Sequence, residues 1–275
     1  YWALVFAGAV FAVGLVLIVG QYDRVQKARS QLPPPVGQAV IRPFESPVSD
    51  WTDQDLPRGW MVWSSNRFGN HDILQMHLPN GRITRLTQHP HSEYFPRISP
   101  DGRQLVFARS REAWVSQRDP VPWNVFLLDL ESGRERQLAE FATSPTWSED
   151  GDRVYFQRGT DEFVELDLAS GRERVLYRAG EGRIPARVEF SRPSYNLRRT
   201  QMAVTWRGAR RMTVTVGLDG NLRPIGQGCQ LTWAPDGGFL YWVDHGGLMQ
   251  NRIYKQARGT DEARSWLDLP VPYPV

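Results

Sequence analysis

The chain opens with a continuous apolar segment and then changes to short stretches in which apolar and polar residues alternate. Tyr1 to Gly20 contains no charged side chain, and a helix of that length would be about 30 Å long, the thickness of a bilayer core. Trp2 and Tyr22 lie near its ends, where aromatic rings favour the membrane interface. We therefore predict a transmembrane helix over residues 1–21. The alternative is a signal peptide, which the length of the run and the lack of a small-residue cleavage site disfavour.

Small residues recur at four-residue spacing in this segment, with Ala3 followed by Ala7 and Gly8 followed by Ala12. This spacing lets a second helix approach closely in lipid, so these four positions are candidates for helix packing in the membrane. The alternative is that small residues are simply common in such helices.

A polar, proline-rich linker is predicted over residues 22–47. Pro33, Pro34 and Pro35 stop any helix and favour an extended spacer that holds the rest of the chain away from the bilayer. Basic residues directly after the apolar run favour a cytoplasmic position for the part of the chain beyond the membrane helix: Arg24, Lys27 and Arg29.

The remainder of the chain, residues 48–275, repeats itself with a period near 45 residues. Each copy has an apolar anchor residue, then in the clearest copies an Asp-Gly turn, then alternating apolar residues. The clearest copies are Arg97 to Phe107, Thr146 to Phe156 and Thr232 to Trp242. A weaker copy spans Val188 to Trp206, and a degenerate first copy spans Asp50 to Trp63. The anchors are placed at Trp51, Ile98, Trp147, Phe190 and Trp233.

One copy reads as four short antiparallel strands. The alternation in Leu105 and Phe107 predicts a strand with one face inward, and Val125 to Leu130 predicts the next strand. That strand ends at Ser-Gly-Arg-Glu-Arg, a hairpin turn that recurs one copy later. Four strands per period without helical periodicity predict an all-β fold, a β-propeller of about five four-stranded blades, with six possible. The competing all-β arrangement is a sandwich, which strict repetition disfavours.

The stretch from Trp60 to Arg109 resembles the TolB-type, WD40-like propeller repeat family. The matching motifs are a Ser-Asn-Arg-x-Gly-Asn turn, an Ile-x-x-Met strand, a Leu-Thr end and a Ser-Pro-Asp-Gly turn. They fall on Ser65, Asn66, Arg67, Gly69, Asn70, Ile73, Met76, Leu86, Thr87, Ser99, Pro100, Asp101 and Gly102. The resemblance implies a bacterial interaction module outside the cytoplasm. We therefore expect a single-pass inner-membrane protein with a periplasmic propeller, against the indication of the basic flank.

Charge and cysteine content exclude several classes of protein. The chain has 33 basic and 30 acidic residues, a net charge of +3, and this small surplus argues against a dedicated nucleic-acid binder. Cys229 is the only cysteine, so no internal disulfide or cysteine-based zinc site can form.

The sequence offers little for catalysis. His89 and His91 are close together but lack acidic or thiol ligands at metal-site spacing, so we predict no metal site. Asp101, Asp150 and Asp236 recur at the Asp-Gly turns, where they are expected to shape the turn. Because phosphate loops and hydrolase motifs are lacking, we expect no cofactor and no enzymatic activity.

Two features are candidates for binding a partner. Trp114 and Trp123 lie in an extended, proline-containing hairpin of the second copy, and tryptophan dominates many interfaces; the alternative is that one tryptophan folds back onto the blade. Arginines in the fourth copy could face anionic lipid or an acidic partner, or be ordinary solvated side chains: Arg198, Arg199, Arg207, Arg210 and Arg211.

The function expected from these features is a membrane-anchored, non-catalytic propeller acting as a scaffold or accessory subunit of a bacterial membrane complex. Its partners would be other subunits, reached through the membrane helix and a propeller face. Two alternatives stay open. The propeller could be the external sensor domain of a single-pass receptor, or it could bind a small ligand or sugar in its central channel.

Overall fold

The computed structural model describes residues 59–78, 80–113, 115, 117, 122–196, 201–209, 211–226, 228–234, 238–246, 250–257 and 263–268. The predicted membrane helix, the linker and residues 48–58 lie outside these ranges. So do four candidate packing residues, Ala3, Ala7, Gly8 and Ala12. The domain boundaries therefore stay predictions.

The described residues form nineteen β-strands in five antiparallel sheets, with no helix. Sheet 1 contains β1 (Gly59–Ser65), β2 (Asp72–Leu78) and β3 (Arg82–Arg85). Sheet 2 contains β4 (His91–Ile98), β5 (Gln104–Ala113), β6 (Trp123–Asp129) and β7 (Glu135–Ala139). Sheet 3 contains β8 (Ala142–Trp147), β9 (Arg153–Arg158), β10 (Glu162–Asp167) and β11 (Glu173–Arg178).

Two further sheets complete the described part of the chain. Sheet 4 contains β12 (Glu189–Asn196), β13 (Gln201–Arg207), β14 (Met212–Gly217) and β15 (Leu222–Gly226). Sheet 5 contains β16 (Cys229–Trp233), β17 (Phe239–Gly246), β18 (Gln250–Ala257) and β19 (Ala263–Asp268). In every sheet each strand pairs with the next along the chain, so the units are sequential meanders.

The sheets stack face to face, and this explains why the central strands are buried on both sides. In β5, Leu105 and Phe107 pack with Ile73 of sheet 1, whereas Val106 packs with Trp147 of sheet 3. All three β5 residues are fully buried. The prediction of one inward face was therefore too simple, because alternate residues of one strand serve two neighbouring sheets.

Apolar clusters join sheet 1 to 2, 2 to 3, 3 to 4 and 4 to 5. The first strand of a sheet packs on the second strand of the preceding one, as β8 does on β5 and β16 on β13. β4 packs on β1 in the same way, so β1 corresponds to a second strand. This arrangement of sheets is that of a β-propeller, and we call the sheets blades 1 to 5. The four-stranded unit is confirmed in blades 2 to 5, and blade 1 has three strands among the described residues.

The recurring acidic residues shape turns, as their positions in the sequence indicated. Asp101 Oδ1 accepts hydrogen bonds from Ser99 Oγ at 2.6 Å and from the backbone N–H of Arg103 at 3.1 Å. Asp150 is held in the same way by Ser148 and the N–H of Asp152. These hydrogen bonds from serine lower the pKa of both carboxyl groups. The third residue of this set, Asp236, lies outside the described ranges.

The anchor of blade 4 differs from the prediction. Ile98, Trp147 and Trp233 each lie three residues after a non-glycine residue with positive φ, namely Phe95, Ser144 and Gln230. In blade 4 the positive-φ residue is Arg192, which places the anchor at Tyr195. Phe190 was the wrong choice, because it lies at the start of β12, five residues too early.

Candidate functional site: the central cavity and the adjoining groove

The innermost strands of blades 2 to 5 share a β-bulge at the same place. In each strand the pairing register shifts around one residue with φ between 51° and 57°. Those residues are Phe95, Ser144, Arg192 and Gln230. In three of the four, proline follows directly, at Pro96, Pro145 and Pro193. Proline cannot donate to a ladder, so it is accommodated where a bulge interrupts the pairing.

The bulges line a central cavity of about 730 Å³. All four bulge residues contribute to its wall, as do the residues two positions later, Arg97, Thr146, Ser194 and Thr232. Aromatic rings complete one part of the wall: Tyr195, Trp233 and Tyr241. The cavity volume lies in the range of small-molecule sites in proteins.

Arg97 is the cation of this cavity that has the fewest partners among the described residues. Its Nη1 donates a hydrogen bond to the carbonyl of Pro96 at 2.9 Å, and no described carboxylate lies within ion-pair distance. The side chain is exposed on the cavity surface. The surrounding walls remove bulk water from the guanidinium, which lowers its pKa, while the nearby Tyr241 opposes this shift.

Arg192 separates the central cavity from a second one. Its Nη2 donates a hydrogen bond to Gln117 Oε1 at 2.9 Å, and its guanidinium lies 5.7 Å from the ring centre of Phe95. Gln117 belongs to the hairpin between β5 and β6 of blade 2, so the contact reaches across to blade 4. Phe95, Ser144, Gln117 and Arg192 line both cavities.

The second cavity, which we call the groove, has a volume of about 320 Å³ and lies between blades 2, 3 and 4. Its walls include Trp123, Phe141, Phe190 and Arg207. Phe141 is 49% exposed and has φ of 52°, and Arg111 lies 5.3 Å above its ring centre. None of the groove residues that the structure describes carries a carboxylate. The groove is therefore basic and aromatic.

The structure places the sequence-predicted partner residues in different environments. Trp123 is 7% exposed and packs edge-to-face against Tyr94, so its ring forms a groove wall and part of the core. Arg207 lines the groove, and Arg211 is exposed in blade 4. Trp114, Arg198, Arg199 and Arg210 lie outside the described ranges. A role in partner binding stays a prediction for all of these residues.

A buried polar cluster links blades 1 and 2. The fully buried Glu93 accepts a hydrogen bond from Arg109 Nε at 2.7 Å and is hydrogen-bonded to Thr87, while Arg109 also pairs with Glu135 at 2.7 Å. Burial raises the pKa of Glu93 to about 7, although Arg109 opposes the shift. Because this cluster has no adjoining cavity among those above, we interpret it as structural.

The histidines near this cluster serve the same structural purpose. His91 Nδ1 lies 2.9 Å from the carbonyl of Ser110, and the backbone N–H of His91 donates to His89 Nδ1 at 3.0 Å. In the part of the chain that is described, no group of three or more histidine, cysteine or acidic residues is arranged to hold a metal ion. Among the residues that the structure describes, no helix is long and apolar enough to cross a bilayer.

Comparison with known proteins identifies the type of propeller. No protein-family profile matches the chain. It is 26% identical over 117 residues to an uncharacterized protein of Agrobacterium fabrum, covering 40% of each. Over 97 residues it is 25% identical to the Tol-Pal system protein TolB of Francisella tularensis, covering 34% of this chain and 19% of that protein. The chain thus spans at most 40% of the length of these curated relatives.

The crystal structure of TolB from Acinetobacter baumannii superposes on the chain with a TM-score of 0.58 at 14% identity. The match covers 78% of this chain and 54% of that one. The fold is a TolB-like β-propeller. This agrees with the family resemblance of the repeat motifs around Trp60 to Arg109.

The expectation that the chain is not an enzyme is wrong as an inference from this fold. An oligogalacturonate lyase from Vibrio parahaemolyticus superposes with a TM-score of 0.51 at 18% identity, covering 80% of this chain and 64% of that one. A puromycin-hydrolyzing peptidase of Mycobacterium tuberculosis gives 0.51 at 16% identity, covering 71% and 32%. Enzymes share the TolB-like propeller, so neither the fold nor the missing local motif excludes catalysis.

Proposed function

We propose that the chain is a membrane-anchored TolB-like propeller that serves as an interaction scaffold, an accessory subunit of a bacterial membrane complex with its propeller in the periplasm. The uncharged run from Tyr1 to Gly20 supports the anchor, and the similarity to a Tol-Pal system protein supports the compartment. The groove supplies the docking surface, and its occupant is an acidic segment of a partner protein.

The proposal of a docking groove depends on Phe141. Its backbone has a positive φ, which bulky residues rarely adopt. Its ring is half exposed, so only part of the apolar surface of the ring is buried in the core. Its backbone N–H donates to Asn124 Oδ1 at 3.2 Å, which helps to hold the strained turn. Backbone strain of this kind persists where the surroundings enforce it and is concentrated at binding sites.

The charges around Phe141 select the partner. The Arg111 guanidinium lies over its ring, and Arg192 and Arg207 are also groove-lining residues. Aromatic and arginine side chains are enriched among residues that dominate binding energy at protein interfaces. A segment with carboxylates flanking an apolar side chain would fill the groove and pair with these arginines.

The test is co-purification of the full chain from gently solubilised membranes, followed by identification of stoichiometric companions. We expect Phe141→Ser and Arg207→Gln to reduce recovery of the companion at least tenfold. Leu218→Ser, at an apolar position that is 44% exposed in blade 4, and Arg103→Gln are matched controls that should not. Recovery of the wild-type chain alone, or equal losses in variants and controls, would overturn the proposal.

A further inference from the structure

Comparison of the blades shows which cavity residues the fold requires. Two positions after each bulge, blades 3, 4 and 5 carry a small hydroxyl residue: Thr146, Ser194 and Thr232. Blade 2 carries Arg97 at that position. Three blades form the same bulge with a short side chain, so the bulge does not need an arginine.

The same comparison singles out Arg192. At the bulge itself blades 2, 3 and 5 carry the uncharged residues Phe95, Ser144 and Gln230. Of the four blades with this bulge, only blade 4 has a charged residue at the bulge position. Two arginines thus enter the cavity from non-adjacent blades, each at a position that neutral residues fill elsewhere.

Arg97 is exposed at the cavity surface and has no described carboxylate within ion-pair distance, so its guanidinium N–H groups can donate to an anionic ligand. A single backbone carbonyl replaces one of its water contacts. The position of the backbone is fixed from blade 3, because Trp147 Nε1 donates to the Arg97 carbonyl at 2.9 Å.

We propose that the central cavity is a binding site for a ligand with a carboxylate group, which Arg97 binds directly and Arg192 of blade 4 attracts. A guanidinium binds carboxylate through two parallel hydrogen bonds, which lysine cannot reproduce. Trp233 and Tyr241 supply rings against which the rest of the ligand can pack, and the hydroxyls of Thr146 and Thr232 supply hydrogen bonds. Glu149 also lines the cavity.

This site is separate from the docking groove, since neither Phe141 nor Arg207 lines the central cavity. The carboxylate could belong to a free small acid or to an acidic side chain of a peptide. Both sources present the same group to Arg97, and two probes distinguish them. The probes are formate, the smallest carboxylate, and an acetylated, amidated tetraglutamate peptide.

The experiment follows the side-chain Nε–Hε signals of the full chain, labelled with ¹⁵N-arginine, while each probe is added at constant ionic strength. The Arg97 signal is assigned by its loss in Arg97→Lys. We expect a saturable shift of this signal in wild type and no comparable shift for the exposed Arg103. Arg97→Lys should weaken formate binding, read from the Arg192 signal, at least fivefold, and Arg97→Gln should abolish it.

The outcomes separate the sources and can overturn the site. Peptide affinity more than tenfold above that of formate identifies a protein segment as the source, and comparable affinities identify a free acid. If neither probe shifts Arg97 more than Arg103, or if Arg97→Gln binds formate as wild type does, the proposal is wrong. The Phe141 and Arg207 variants should keep formate binding, so failure here is distinguishable from failure of the docking groove.

Discussion

The indole of Trp147 donates its Nε1–H to the backbone carbonyl of Arg97 at 2.9 Å, which joins blade 3 to the cavity wall of blade 2. Trp147 is 5% exposed and belongs to the apolar cluster between these blades. One side chain therefore contributes to packing and fixes the backbone that carries the cavity arginine.

Replacing Trp147 by phenylalanine should lower the free energy of unfolding by about 1–3 kcal/mol. The change leaves the Arg97 carbonyl without its donor and opens a small void where the larger ring was. Urea denaturation measures the effect. Trp60→Phe is the matched control, because Trp60 is 54% exposed and the change there should stay within about 0.5 kcal/mol. Equal effects at the two positions would contradict this account.

The turns and blades were predictable from the sequence because local chemistry determines them. Asp129 Oδ1 accepts hydrogen bonds from the N–H and hydroxyl of Ser132, and Asp167 does the same with Ser170, as the repeated Ser-Gly-Arg-Glu-Arg turn implied. A short polar residue before a glycine forms such a turn without help from the rest of the fold.

A central channel was anticipated with the propeller, but the residues that line it were not predicted, although the sequence held a signal for them. Pro96, Pro145 and Pro193 each lie in the observed first strand of their blade, two residues before Ile98, Trp147 and Tyr195, and proline inside a strand marks a bulge. Recognition of this register would also have placed the blade 4 anchor at Tyr195. That Arg97 and Arg192 meet at one cavity depends on the radial arrangement of the blades, which no local pattern encodes.

Arg85 should be essential for stability because its partner is buried. Asp72 is completely buried and its Oδ2 lies 2.6 Å from Arg85 Nη2, whereas its Oδ1 has no partner among the described residues. Burial raises the pKa of Asp72, and Arg85 opposes this shift. Arg85→Met should cost about 3 kcal/mol at neutral pH, since it leaves a buried carboxylate unpaired.

The control for this prediction is an exposed ion pair. Arg178 contacts Glu162 and Glu181, and its side chain is 44% exposed. Arg178→Met should cost no more than about 1 kcal/mol in the same urea titration. A loss at Arg85 as small as the loss at Arg178 would show that Asp72 does not depend on its partner.

Glu93 should make the stability of the protein depend on pH. Its pKa is raised from 4.5 to about 7 by burial, so the folded protein binds this proton more tightly than the unfolded chain does. The free energy of unfolding therefore falls as the pH rises from about 4.5 to about 7, by at most about 1.4 kcal/mol per pH unit. Urea titrations at several pH values should show this slope in wild type and its loss in Glu93→Gln. Glu131→Gln, at an exposed turn, should retain it.

Gln117 offers a way to block the proposed carboxylate site from within. Its Oε1 accepts a hydrogen bond from Arg192 at 2.9 Å, so Gln117→Glu would place a carboxylate against that arginine without changing the size of the side chain. The new ion pair would neutralise Arg192, one of the two cavity cations. We therefore expect the dissociation constant for formate, measured from the Arg97 side-chain signal, to rise at least fivefold. Gln117→Ala, which removes the contact without adding charge, should weaken formate binding less than Gln117→Glu does. Gln137→Glu, at an exposed position of β7, controls for net charge and should have no effect. If Gln117→Glu binds formate as tightly as wild type does, Arg192 does not contribute to the site.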